Sequence, residues 1–561
     1  MASVHGKRIG GQTYYYLREV ARVGGEPKVV SQRYLGKAED IAAAMDGAAV
    51  LPERTRHIAF GALAAVWGAL ERLGVAETVD EAVGSRRSDA AASVGTYLAL
   101  ATANRVVDPC SKLAFPDWWA TTAGDRWVRL PAAALDHRRF WDAMDAIAVN
   151  DLAEIERRVS TRAVEVFDLD LSAVVLDMTN FATFIDSANT RAPIAQRGKA
   201  KQKRTDLRLV GLSLVVTRDG GVPVVSHAYA GDRPDVTQFT HVLDVLVGRW
   251  QALGGEAGEL TVAYDAGQNS AVNQEHLEAT GIGYVTSLPP SDHPKLLAVG
   301  RDRFQIIDAE RFPGVTGYDT TVTAYGVARR AIITHSPGFH AAQARGFEQT
   351  LAKARRRLAE LQARLARGRT RKSAAGVQAE IDTILAPRWL DRVITVEVSG
   401  DTPATRRLRW RTDPRARAKL EAEMFGKRIL FTNRDRWPAV EVVAAYRSQP
   451  DVEAAFRQMK DPKVVSFSPM FHWTDHKIRV HCLYCTLALQ VAHLMRRTAA
   501  HAGLNLSVRE LLATLAGIEE TVLVYPSTGG RPKARRMLTD LNPTQQRLYD
   551  IFDLDRYAPR A

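Results

Sequence analysis

Cysteine is scarce in this chain: Cys110, Cys482 and Cys485 are three thiols among 561 residues. Three cysteines are too few for a disulfide framework, and they fit a reducing cytoplasmic setting. Long apolar runs are also wanting. No run approaches the ~18 residues of a membrane span, and the opening MASVHGKRIGG lacks the apolar segment of a signal peptide. No internal repeats suggest an array. Acidic residues fall short of basic ones, 63 against 76, which leaves a net charge of +13. A surplus of that size favours a polyanionic partner, most simply nucleic acid. The plainer alternative is an enzyme with a basic surface.

What is present is ordinary for globular protein, 46% hydrophobic and 25% charged, in a chain too long for one core. Residues 1–50 read as a small β unit, with TYYYLREVARV and PKVVSQRYLG as strands joined by GGE. Residues 51–165 turn to helical periodicity, with DPCSKLAFPDWWATT as an aromatic loop between helices. This block is the candidate for binding a DNA end, although it carries no clear helix-turn-helix signature. Residues 166–290 are β-rich. LSAVVLDMTNF reads as a buried strand ending in Asp177, two more strands form a meander, a helix follows, and ELTVAYDAG ends in Asp265. Residues 291–425 interrupt this pattern with strand-like runs around a helical hairpin. Its heptad seam is Phe347, Leu351, Ala354, Leu358, Leu361 and Leu365, and its basic tip is RGRTRK. Residues 426–505 resume the core and 506–561 form a C-terminal region. Three meandering strands, a helix and a further strand give the order of an α/β, ribonuclease-H-like core with a mixed β/helical insertion.

The stretch YRSQPDVEAAFRQMK repeats Tyr446, Glu453 and Lys460 every seven residues, almost two helical turns. Ser448 is the expected N-cap, with Asp451 completing a capping box. Glu453 and Lys460 then share one face beside the apolar stripe Val452, Ala455, Phe456 and Met459. Alone such a pair reads as solvated surface charge. Three acids from three elements (Asp177, Asp265 and Glu453) say more. Phosphoryl transfer through two Mg²⁺ ions needs a carboxylate cluster, and hard cations take oxygen ligands.

These motifs resemble a DDE-type transposase of a bacterial insertion sequence, in the group marked Tyr-x2-Arg-x3-Glu-x6-Lys. VVLDMTNF and VAYDAGQN match the surroundings of its first two acids. The arginine position falls on Gln449, with Arg447 and Arg457 near enough to substitute. The resemblance implies DNA cleavage by water, then attack of the freed 3′-hydroxyl on another phosphodiester. It also implies Asp177, Asp265 and Glu453 as catalytic ligands of two Mg²⁺ ions, with Mn²⁺ able to replace them. Tyr446 and Lys460 would contact phosphates near the scissile bond. Further DNA contacts are expected from Arg197, Lys199, Lys201, Lys203 and Arg204, within a basic loop that also holds Arg208. The implied partners are double-stranded DNA (terminal inverted repeats and target) and a second copy of the chain or more, in the bacterial cytoplasm and without a membrane. Trp389, Trp410 and Trp473 could stack on an unpaired base or pack in the core. His476, His481, Cys482 and Cys485 lack the spacing of a zinc site. Two other readings stand beside this one: a DNA-binding protein with a lapsed catalytic centre, and a metal-dependent nuclease without strand transfer.

Overall fold

A computed structural model describes residues 2–23, 26–45, 51–84, 91–198, 206–368, 372–526 and 533–560. Its centre is a mixed nine-stranded sheet. From one edge the strands run Gln305–Ile306, Thr316–Ala324, Val327–His335, Lys427–Thr432, Gly283–Leu288, Thr261–Tyr264, Ala173–Thr183, Arg208–Thr217 and Pro223–Ala230. Ala173–Thr183, Arg208–Thr217 and Pro223–Ala230 form an antiparallel meander. Thr261–Tyr264 is parallel to Ala173–Thr183, and Gly283–Leu288 is parallel to Thr261–Tyr264. The result is a mixed α/β protein with a large sheet and many helices.

The central strands are runs of Val, Leu and Ile because both of their faces are covered. On Ala173–Thr183, Val174, Leu176 and Met178 enter a core with Phe239, Leu243 and Leu246 of helix Phe239–Ala252. Val175 and Phe181 enter the opposite core, with Val452, Phe456 and Met459 of helix Gln449–Met459. Side chains alternate along a strand, so Asp177 is on the face that Gln449–Met459 covers. Each large side chain of that helix's stripe contributes ~1.5–3 kcal/mol by burial. The carboxylate-bearing helix is thus fixed to the sheet by hydrophobic contact.

Several expectations are corrected. The first acid does not end its strand, which runs on to Thr183 with Asp177 paired opposite Leu214. The aromatic loop is in part a helix, Phe115–Ala120, with Phe115, Trp118 and Trp119 buried; the spacing of three to four between those rings is its signal. The N-terminal unit has a third strand, Ala2–Ile9, whose mostly exposed pattern gave no alternation to read. Its GGE turn lies partly outside the described residues. Ser448 forms no capping box: its backbone is already helical, and its hydroxyl donates to the Ala444 carbonyl at 3.0 Å. One helix, Asp475–His501, is long and apolar enough to cross a membrane, but 94% of its apolar window is buried inside the protein. It is apolar nearly all round because the sheet packs on one side and the helical block on the other.

The strands between residues 305 and 335 hydrogen-bond into the same sheet as the meander, through Lys427–Thr432. Beyond them the heptad seam of helix Pro337–Ala366 is buried against Val377, Ile381 and Ile384 of helix Ala374–Leu385. Gly368, at φ +66°, ends the first helix. Strand Glu519–Tyr525 pairs with Arg54–Ala59, so the C-terminal region and the helical block share one core.

Candidate active site

Parallel pairing sets the two aspartates side by side. Val175 is opposite Ala263 and Leu176 opposite Tyr264. One step further in that register brings Asp177 level with Asp265, whose backbone is still extended. Adjacent strands are ~4.8 Å apart, so the two carboxylates leave neighbouring strands on one face. The next strand continues the row: Ala263 pairs with Val285, which puts Ser287 level with Asp265. Asp177 is half-buried and Asp265 exposed. The turn behind Asp265 is held by amides. Asn269 donates to the Ser287 carbonyl at 2.9 Å, and Gln274 donates to Tyr264 at 2.7 Å and to Asn269 at 3.1 Å. These bonds are the physical content of the DAGQN motif.

The third acid arrives from above the sheet. Glu453 is exposed beside the buried stripe, and it lines one cavity of about 610 Å³ together with Asp177 and Asp265. Tyr446 lines it too. Its ring is buried, its hydroxyl donates to Ser287 at 2.9 Å, and the Arg428 guanidinium stands 5.0 Å from the ring. Burial raises the Tyr446 pKa, partly offset by Arg428. Tyr446 is therefore a hydrogen-bonded wall of the site. Lys460 caps the helix that carries Glu453 and donates to Thr179 at 2.8 Å. Thr179 follows Asp177 by two positions and so shares its face. Lys460 thus reaches the strand of Asp177, although it does not itself line the cavity.

Other expected residues do not come to the cavity. Arg447 is exposed and stands over Phe312 at 4.9 Å, and Arg457 is exposed on the helix; neither lines the cavity. Its arginines are Arg428 and Arg388. Gln449 lines it where the signature has its arginine. Arg428 was missed because it lies outside the motif; the basic pair KR that opens the strand KRILFT was its trace. Arg197 is exposed, whereas Lys199, Lys201, Lys203 and Arg204 lie outside the described residues. Arg208 donates to the Asn189 carbonyl at 2.6 Å and to that of Ser187, so it ties the loop down.

The insertion supplies the opposite wall. Phe339, Gln343, Arg388, Trp389 and Met424 line the cavity, with Arg388 stacked 4.5 Å over Trp389. Trp389 holds φ at +72°, a region that bulky side chains rarely adopt. Trp410 is half-buried, and Trp473 is 58% exposed beneath Arg191. His481 bonds the Phe467 carbonyl at 2.7 Å within the core, where both Cys482 and Cys485 are buried.

Among the described residues, no three His, Cys, Asp or Glu side chains gather closely enough to hold one metal ion. Two ions sharing a carboxylate ask instead for pairs of acids around each ion, about 3.5–4 Å apart. Asp177 and Asp265 stand level by register, and Glu453 lines the same cavity. An all-oxygen donor set open to solvent suits Mg²⁺ and not a soft metal. The donor chemistry of these three carboxylates is of the kind that hard cations take.

No family model and no curated protein matches the chain. Among solved structures, the chain is similar to a piggyBac transposase in a synaptic complex with hairpin DNA, with 8% identity, a TM-score of 0.36, and coverage of 83% of this chain and 82% of that one.

Proposed function

We propose that this protein is a DNA transposase, with a ribonuclease-H-like core that cleaves and joins DNA by metal-dependent phosphoryl transfer. The observation that carries the reading is the row of acids. Asp177 and Asp265 stand level on adjacent parallel strands, and Glu453 faces the same cavity from a helix in the Tyr446, Glu453, Lys460 pattern. The strand order supports it: a three-stranded meander, then parallel strands added beside the first.

Asp177, Asp265 and Glu453 would hold two Mg²⁺ ions. When bound, such ions polarise the scissile phosphate and lower the pKa of an attacking hydroxyl. The chain's own contribution is positioning and charge. Lys460, held by Thr179, offsets phosphate charge beside the first acid without competing for metal, since an ammonium has no lone pair to donate. Arg428 does the same on the Tyr446 side with a planar fork suited to phosphate oxygens. Trp389, Arg388 and Phe339 form a wall that narrows the site from the insertion side.

Single-turnover cleavage of a duplex carrying the element's end, with Mg²⁺, tests the proposal. Asp177→Ala, Asp265→Ala and Glu453→Ala should each stop cleavage and leave duplex binding nearly intact. Wild-type protein that binds and never cuts points to the lapsed DNA-binding reading. Cutting without joining of the 3′-hydroxyl points to a nuclease.

A further inference from the structure

The insertion carries a second basic feature, separate from the acids. Strands Ile394–Ser399 and Arg407–Thr412 form an isolated two-stranded ribbon. Leu408 is buried and Trp410 half-buried, and the ribbon is fastened to the long helix by Gln362, which donates to the Leu408 carbonyl at 2.9 Å, and by Arg355, which donates to Thr412 at 3.1 Å. The alternate positions, Arg407, Arg409 and Arg411, are all exposed. Their cross-strand partners are Ser399, Glu397 and Thr395. Among the described residues none of the three arginines forms an ion pair. The neighbouring helices differ: Arg364 and Lys372 are paired with Glu380 at 2.6 and 2.8 Å, and Arg417 with Glu348 at 2.9 Å.

Three arginines in a strand at every second position are ~6.8 Å apart, a straight row of guanidinium forks on one face. The ribbon is rooted where Asp413 donates its N–H to the Val393 carbonyl at 2.9 Å. Its root is bracketed in sequence by cavity-lining residues, Arg388 and Trp389 before it and Met424 after. Arg411 is nearest this root and Arg407 furthest, so the row leads away from the wall of the acid cavity. Arg407 engages one nitrogen, Nη1, with the Ala404 and Arg406 carbonyls; Arg409 and Arg411 project from a ribbon whose opposite face does the packing.

We propose that this arginine row is a contact surface for the sugar-phosphate backbone of duplex DNA as it leaves the catalytic cavity. The inference rests on the reading of the protein as a DNA-cutting enzyme. The recognition is electrostatic and independent of sequence, because guanidinium forks spaced along a strand match phosphate oxygens, which carry no sequence information.

The test is binding of a fluorescein-labelled, mixed-sequence duplex across a salt titration. Full-length wild type is compared with a triple variant (Arg407→Gln, Arg409→Gln, Arg411→Gln) and its Lys counterpart. Each phosphate contact contributes ~0.9 to the slope of log K against log salt, so the Gln variant should lose about 2–3 from that slope. The Lys variant should keep most of it, and both should show the wild-type circular dichroism spectrum and melting temperature. A Gln variant that is folded and retains the wild-type slope overturns the proposal while leaving the enzymatic reading untouched. If the Lys variant loses slope equally with its fold intact, charge is not the basis and the proposal also fails. Wild type that binds no duplex at low salt refutes the enzymatic reading first.

Discussion

Two places in this protein gather like charges, and they are built in opposite ways. In the candidate site three acids line an open space, and two of them are exposed. Deep in the helical block, Arg105 and Lys112 are buried, and among the described residues neither forms an ion pair. Arg105 donates from its two terminal nitrogens to the Ser468 carbonyl at 2.9 Å and the Cys110 carbonyl at 3.2 Å, while among the described residues its Nε and the Lys112 ammonium have no hydrogen-bond partner, and that ammonium stands 4.6 Å over the Tyr484 ring. Burial, with the Arg105 charge adding to it, lowers the Lys112 pKa to about 7. Nearby His472 is driven down to about 3 by the same burial and by Lys112. The lesson is that like charges can be kept open to solvent, or kept closed where burial and repulsion favour release of a proton from an amine or imidazole.

The largest expected effect is on the open cluster. Loss of any one of Asp177, Asp265 or Glu453 should slow cleavage by more than about a thousandfold, ~4 kcal/mol of transition-state stabilisation, measured in single turnover. For Glu453→Gln, part of the rate should return with excess Mn²⁺. Lys460→Ala comes next. It should slow cleavage by ~100-fold, bind the duplex with modest loss, and show no rescue by metal. Lys460→Arg should recover part of the rate. A metal titration that rescues Lys460→Ala as it rescues Glu453→Gln would erase the division between ligand and phosphate contact.

The closed cluster should respond with the opposite sign. Lys112→Met removes a buried, unpaired amine and should stabilise the protein by ~1–2 kcal/mol, read by thermal melting. Between pH 7 and 10.5 the unfolded lysine binds a proton that the folded one has released. Stability contributed by this group therefore rises with pH across that window, and Lys112→Met should flatten the rise. An unchanged pH profile would show that Lys112 does not titrate as its burial requires. Smallest is Tyr446→Phe, which deletes the bond to a buried Ser287 and should cost ~0.5–1.5 kcal/mol with little change in cleavage.

Much of this was legible in the chain. The seam from Phe347 to Leu365 could be read because one helix packs on another with a fixed period, and every member is buried. The acids could be read because each follows or interrupts a run of apolar residues that must be interior. The strand of Asp177 was read too short because the polar pair Thr179 and Asn180 resembles a turn; Thr179 is instead buried, bonded to Lys460. Arg428 was out of reach, since its place at the cavity depends on pairing between strands more than a hundred residues apart; of the three tryptophans singled out, only Trp389 lines the cavity. Ser448 failed as a cap because the helix before it, Ala439–Tyr446, already carries the backbone into the next one.

Strand Glu519–Tyr525 has a consequence for synthesis. Its partner Arg54–Ala59 is made early, and Ala59 waits for Glu519, 460 residues later. At ~5–20 residues per second that wait is roughly 25–90 s, during which Ile58 and Phe60 lack the contacts that bury them. The cavity is assembled on the same schedule, with Asp177 first and Glu453 276 residues after it. A chain that stops short of Glu453 thus holds no complete set of the three acids.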